Sequence, residues 1–327
     1  MTKMRLPRRA ILSAAAAFPA AALAQGAPWP DRPIKVIIPF PPGGPMDMVA
    51  RMLEQSLPPR LRRQPIVVEN RSGGGGAIAM DAAARAAPDG YTVIITTPGP
   101  GSVLQTLVPG ITYDSPRDFA GVTNMFESPS TLWVRTESPL RSFADVLETA
   151  RRQPGRLNFA TTGIGGTPHL AAELLQMRAG VRFTHVPYRG AGPAQIAILT
   201  GEVDFAFLDL SGMLAAYRSG ALRGLAMAAA ERHPAAPEIA TVAEMGVPGV
   251  EVASWYMVLV PAATPRDRIV ALHRAIDDIL QQPENRDRFT GMGFRMKATT
   301  PEATDAFLRS EVTKWAEVIR VASIRPE

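Results

Sequence analysis

Pro39-Phe40-Pro41-Pro42-Gly43-Gly44-Pro45-Met46-Asp47 follows a short apolar run, Ile34 to Ile38, and precedes a helical pattern from Val49 to Glu54. Strand, glycine-bearing turn and helix in that order aim the free N–H groups of a helix N-terminus beyond the strand end. Such a terminus carries partial positive charge and unsatisfied donors, which suits an anion. Glycine lets a ligand approach the main chain, and proline fixes φ where no donor is needed. The same stretch also reads as an ordinary tight connection, so its meaning depends on the rest of the chain.

That grammar recurs. Pro65 to Glu69 reads as a second strand, followed by Gly73-Gly74-Gly75-Gly76 and an alanine-rich helix from Ala77 to Ala87. The four glycines lack the Gly-Lys-Ser/Thr ending of a phosphate-binding loop and the register of a dinucleotide fingerprint, and read as a flexible connection. Tyr91 to Thr96 is a third strand, ending in a polar turn that begins at Thr97. A βαβαβ succession predicts a parallel sheet covered by helices, with ligands outside the carboxyl ends of the strands. The loops after strands one and three then face one crevice.

A second unit starts at Leu132-Trp133-Val134. Its strand Leu157 to Ala160 leads through Thr161-Thr162-Gly163-Ile164-Gly165-Gly166-Thr167-Pro168-His169 into a helix. Phe183 to Gly190, Val203 to Leu208 and Leu222 to Met227 read as further strands, with Asp209 at a carboxyl end. Val252 to Val260 is long enough to cross back to the first unit. Two helices follow, from Pro265 (capped by Thr264) and from Pro301, with an apolar stripe of Phe307, Leu308, Val312, Trp315 and Ile319. Ser142 and Thr241 each stand three residues before an acid, a capping-box spacing. The expected organisation is an α/β protein with lobe 1 from residues 25–126 and 250–327, lobe 2 from 127–249, and a ligand cleft between them.

Composition narrows the function. The 327 residues include no cysteine, which excludes disulfides, thiolate metal sites and cysteine nucleophiles. Of the net charge of +5, four charges (Lys3, Arg5, Arg8, Arg9) sit in residues 1–24, which hold no acid. The body is nearly neutral, with no basic groove for nucleic acid. Residues 1–24 read as an export signal: a positive start, an apolar run from Ala10 to Phe18, and Ala22-Leu23-Ala24 before Gln25 as the mature terminus. Arg8-Arg9 fits general or twin-arginine export. No later stretch reaches about 18 apolar residues, so the expected product is a soluble periplasmic protein without stable membrane insertion.

The segments Pro39 to Asp47, Val68 to Arg71, Ala86 to Thr92, His169 to Leu174, His185 to Gly190, Gly201 to Asp204 and Pro237 to Gly246 together resemble the Bug-type periplasmic solute receptors of tripartite tricarboxylate transporters. The resemblance runs through nearly the whole mature chain in order. It implies a type II periplasmic binding protein fold, two parallel-sheet α/β lobes around a ligand cleft. It also implies an organic acid held by main-chain N–H groups, short hydroxyls and water in Phe40 to Asp47 and Thr161 to His169. The partners it implies are integral membrane transporter subunits or a sensor, and the receptor is expected to be a monomer.

In the first loop the candidate binding residues are Phe40, Pro42, the Gly43–Gly44 pair, Pro45, Met46 and Asp47. Met46 departs from the threonine or serine frequent in that family. Its loss of a hydroxyl removes a donor worth about 1.5–3 kcal/mol to a carboxylate and leaves room for a larger or aromatic monocarboxylate. Ala77 replaces a frequent asparagine. Thr97 is the candidate from the third strand. The second loop offers Thr161, Thr162 and Gly163, then Gly165, Gly166, Thr167 and His169. Asp47 reads first as a cap and shaper of its loop, and otherwise as a partner for a ligand ammonium. Packing and binding are balanced for His169, and Asp209 reads as a helix cap or a selector for a cationic group. Trp255 and Tyr256 read as core or hinge.

No catalytic residue, metal site or cofactor is assigned. There is no G-x-S-x-G elbow, and His169, His185, His233 and His273 show no metal-ligand spacing. An exported hydrolase of a small ester or amide, with a site assembled only in space, is the rival class.

Overall fold

The computed structural model describes residues 28–321 and 324–325. The export signal and its cleavage point lie outside the described residues. β1 (Ile34–Ile38), α1 (Pro45–Ser56), β2 (Ile66–Asn70), α2 (Ala77–Ala84) and β3 (Thr92–Thr96) follow the expected order. β1 pairs in parallel with β2 and β3. A widened helical turn at Gly99–Val103 leads into α3 (Leu104–Leu107) and α4 (Ser115–Asp118).

The chain then departs from the expected pattern. Instead of a new unit at Leu132, one strand of 17 residues, β4 (Phe119–Arg135), runs through the whole molecule. Ser128-Pro129-Ser130 looks like a break in sequence but marks a change of partner. β4 pairs with β9 (Ala253–Pro261) as far as Pro129, and with β7 (Phe205–Asp209) from Ser130. A proline lacks a ladder donor, so it is tolerated where one partner hands over to the next.

Between these come α5 (Phe143–Arg152), β5 (Asn158–Thr161), α6 (Thr167–Ala179), β6 (Thr184–Pro187), α7 (Ala191–Thr200), α8 (Leu210–Arg218) and β8 (Leu222–Met227). β5 is parallel to β6 and β7, while β8 is antiparallel to β4. The strands form one ten-stranded sheet in the order β2-β1-β3-β9-β4-β7-β5-β6, with β8 and the short β10 (Arg295–Met296) attached to β4. The α/β architecture is as expected, but each half is mixed: parallel at its outer strands and antiparallel where β4 and β9 cross.

Helices cover both faces of each half. Val36 and Ile38 pack under α1 and α9 (Arg266–Leu280), whereas Ile37 faces α2 on the opposite side, the two-residue alternation of a strand. Phe159, Phe205 and Phe207 pack against α5 and α6; Ala160, Ala206 and Leu208 pack against α7 and α8. The C-terminal helix α11 (Pro301–Val321) touches both halves: Leu308 joins the first core, and Trp315 and Ile319 join the second. Glu311, one turn from Trp315, accepts from the indoles of Trp255 and Trp315 at 3.0 and 2.9 Å.

Local chemistry explains several helix ends. Ser142 and Asp145 form the expected reciprocal capping box. Thr241 and Glu244 make the same pair of bonds, but their segment continues as turns and not as a helix. Thr264 does not cap α9; its hydroxyl donates to Pro261 O at 2.7 Å, and Pro265 takes the cap position. An additional helix, α10 (Pro283–Gly291), follows α9.

Candidate functional site

The first loop leaves β1 and enters α1 at Gly44, with Pro45 as the first helical residue. Gly43 has φ +91°, a conformation other residues rarely adopt. Asp47 bends the loop back onto the helix: its Oδ2 accepts from Gly43 N at 3.1 Å, and its Oδ1 lies 3.4 Å from Arg51 Nε. Asn70, at the end of β2, donates to Phe40 O at 3.0 Å and to Asp47 Oδ1 at 3.3 Å. Asp47 is therefore occupied in shaping the loop, the first of its expected roles.

The second loop is braced from inside. Thr161 Oγ1 lies 2.7 Å from His185 Nε2 and accepts from Gly163 N at 3.2 Å. Gly165 N donates to His169 Nδ1 at 3.1 Å, so Nδ1 is unprotonated in a neutral ring. The two imidazoles stack with centroids 4.2 Å apart. Burial lowers His169 to about 4; burial, then repulsion from His169, lowers His185 to about 3.

Both loops open on one cavity of about 240 Å³. From the expected set, Phe40, Pro42, Gly43, Gly44, Pro45, Met46 and Asp47 line it on one side. Thr97, Thr162, Gly163, Gly166, Thr167 and Asp209 line the remainder. Thr161, Gly165 and His169 do not line it; they hold the second loop in shape. Gly75 does line it, so the glycine run is more than a connection, and Gly76 approaches so closely that a Cβ would lie 2.8 Å from Pro100.

The reading of single segments missed Arg189 and Gly190 before α7, Gly212 and Met213 in α8, and Ser254 and Tyr256 on β9. Ser254 and Tyr256 face this cavity, while Ala253 and Trp255 line a second one behind the strand. Alternation along β9 was the available signal. Asp209 is not the cap it resembles. It occupies the N-cap position of α8 without a side-chain capping bond. Its Oδ1 accepts instead from Ser130 Oγ at 3.1 Å, and it is also bonded to Ser254; burial raises its carboxyl to about 6.

The starts of α1, α6, α7 and α8 all contribute to the cavity wall. Their first N–H groups have no partner within the helix, and their dipoles add positive potential. Phe40, Ile164, Leu208 and Met213 supply apolar surface beside them. Among the described residues, no group of three His, Asp or Glu is placed to hold a metal ion, and no helix is long and apolar enough to cross a membrane.

Two α/β halves joined by antiparallel crossing strands, with a small cavity ringed by helix starts, define a solute-binding protein. Residues 49–324 match the tripartite tricarboxylate transporter family receptor, and the chain belongs to that family. It is 36% identical to protein BugT of Bordetella pertussis over 293 residues, covering 89% of this chain and 90% of that one. Two solved structures from Rhodopseudomonas palustris are similar. One, solved with adipate, has TM-score 0.87 and 32% identity, over 91% of this chain and all of the other. The other, MatC with bound malate, has TM-score 0.82 and 31% identity, over 89% of this chain and all of the other.

Proposed function

We propose that this chain is a periplasmic receptor that captures a small organic carboxylate between its lobes and presents it to integral membrane transporter subunits. The observation that carries the reading is the convergence of four helix starts on one cavity. A carboxylate there gains main-chain hydrogen bonds and favourable dipoles without needing a metal or cofactor. The related proteins solved with adipate and malate support the same ligand class.

The lobes of the working receptor are residues 25–126 with 250–327, and residues 127–249. β4 and β9 serve as the hinge between them. A ligand bridging Gly43–Asp47 and Thr162–Thr167 gains both sets of contacts only when the lobes are together, so it shifts the equilibrium toward closure. Residues 1–24 direct export and are removed near Ala24.

The receptor returns its ligand unchanged. Hydrolysis needs a base within reach of a nucleophile. Among the described residues, no histidine lines the cavity, Asp47 is committed to its loop, and the one carboxylate–hydroxyl contact on the wall, Asp209 with Ser254, therefore has no imidazole on the wall to relay a proton.

Thermal melting of the mature protein with a panel of carboxylates, each beside its uncharged amide, tests the reading. An acid at about 100 times its dissociation constant adds roughly 2.7 kcal/mol and raises the melting temperature. The amide gives no comparable shift. Equal shifts by acid and amide, or consumption of an ester during incubation, would overturn the assignment.

A further inference from the structure

Three charged side chains line the cavity: Asp47, Arg189 and Asp209. Asp47 is committed to Gly43 N and has Arg51, which it shares with Glu54, 3.4 Å away. Arg189 and Asp209 are in a different condition. Neither forms an ion pair among the described residues, although each opens on the same space.

Asp209 is recessed between β7, β4 and β9, and the groups around it are neutral. Ser130 and Ser254 donate hydroxyls to it, and the buried Tyr256 stands beside it without neutralising it. Two hydroxyl bonds leave acceptor capacity on a carboxylate, which can take about four. Removing a carboxylate from water without a cation is costly, and a partner supplied by the ligand would recover much of that cost. Arg189 presents the opposite charge, together with the helix starts. The cavity thus combines Arg189 and several helix starts with one acid that has no ion pair, Asp209 at the N-cap position of α8, and with apolar surface from Ile164, Leu208 and Met213.

We propose that the ligand is a zwitterion, an amino acid with an uncharged side chain, whose carboxylate meets the helix starts and Arg189 while its ammonium meets Asp209. This inference rests on the carboxylate-receptor reading and narrows it. A plain dicarboxylate would set a second anion against Asp209. The raised carboxyl is the trace of the same uncompensated burial, and an ammonium beside it lowers it again.

The experiment is titration calorimetry of the mature protein with the uncharged amino acids. Each is set beside the acid of the same skeleton lacking the amino group, with succinate, glutarate and adipate in parallel. At least one amino acid binds about tenfold or more tightly than its desamino partner, the range of a charge-assisted bond. In Asp209→Asn the ratio of the two affinities falls toward one. Tighter binding of a desamino acid or dicarboxylate to the wild type overturns the zwitterion and leaves the receptor reading intact. No binding by any acid overturns both. If the variant does not fold, the wild-type ranking still decides.

Discussion

The two loops that open the cavity perform one backbone task with opposite chemistry. Pro39–Asp47 is held by Asp47, Asn70 and Arg51, side chains in contact with solvent. The second loop, opening α6, is held by the buried Thr161 and His169 and the half-buried His185. A brace near solvent gains little from each polar bond and is screened by salt. A buried brace must remain neutral to be tolerated. The first loop is thus held mainly by charged groups near solvent, and the second mainly by neutral groups, with Glu173 3.6 Å from His169 Nε2.

Acid exposes that difference most strongly. His169 and His185 fall from an ordinary 6.5 to about 4 and about 3 in the folded protein. The unfolded chain then binds more protons below 6.5, so stability is full above that value and is lost as pH falls toward 4. Asp209 has the opposite sign. Raised from 3.8 to about 6, it favours the folded state as it gains its proton. Between pH 7 and pH 5 the two imidazoles together cost about 4 kcal/mol and Asp209 offsets about 1. Urea unfolding of the ligand-free wild type should lose about 3 kcal/mol over that interval, and Asp209→Asn about 1 more. NMR of the ring protons should find both imidazoles neutral at pH 5. A protonated ring there would remove the distinction between the braces.

Glycine substitutions sharpen the comparison at a smaller scale. Gly165 has φ +71°, and an added Cβ would lie 2.9 Å from Leu107 and 3.3 Å from Val103. Gly43 has φ +91°, but nothing lies within 4 Å of such a Cβ. Gly165→Ala combines backbone strain with crowding and should cost about 2–3 kcal/mol. Gly43→Ala bears the strain alone and should cost about 1 kcal/mol. Equal losses in denaturant unfolding would mean that the second loop is no more tightly packed than the first.

The loops themselves were legible in sequence because glycine and proline between an apolar run and a helix have a local meaning. Asp47 as loop shaper was legible for the same reason. β4 was not, since Pro129 locally signals a break and only the exchange of β9 for β7 makes it acceptable. Ser254 and Tyr256 were hidden by their strand: a buried apolar run does not say which face borders a cavity. Asp209 was visible at its strand end, but its hydroxyl partners, Ser130 and Ser254, lie on other strands. Arg189 belongs to a recognisable segment, but that segment alone does not say that it borders the same cavity as Asp209. Local rules thus located the two loops, and long-range pairing brought Ser130, Asp209 and Ser254 together at the cavity.

The smallest expected effect separates stability from binding. Asn70→Ala removes the bonds to Phe40 O and Asp47 Oδ1, both near solvent, so unfolding should weaken by only about 1 kcal/mol. Those bonds nonetheless hold the loop that presents the start of α1 to the cavity. A loop released in the free protein must be ordered again on binding, and that cost falls on affinity. Binding of the tightest acid from the panel should therefore weaken about three- to tenfold, mostly through faster dissociation. A matching loss for His169→Phe would place the two braces on an equal footing for binding despite their different burial. An Asn70→Ala protein that loses stability but binds with unchanged affinity would show that the first loop is shaped by proline and glycine alone, with its polar brace serving only the fold.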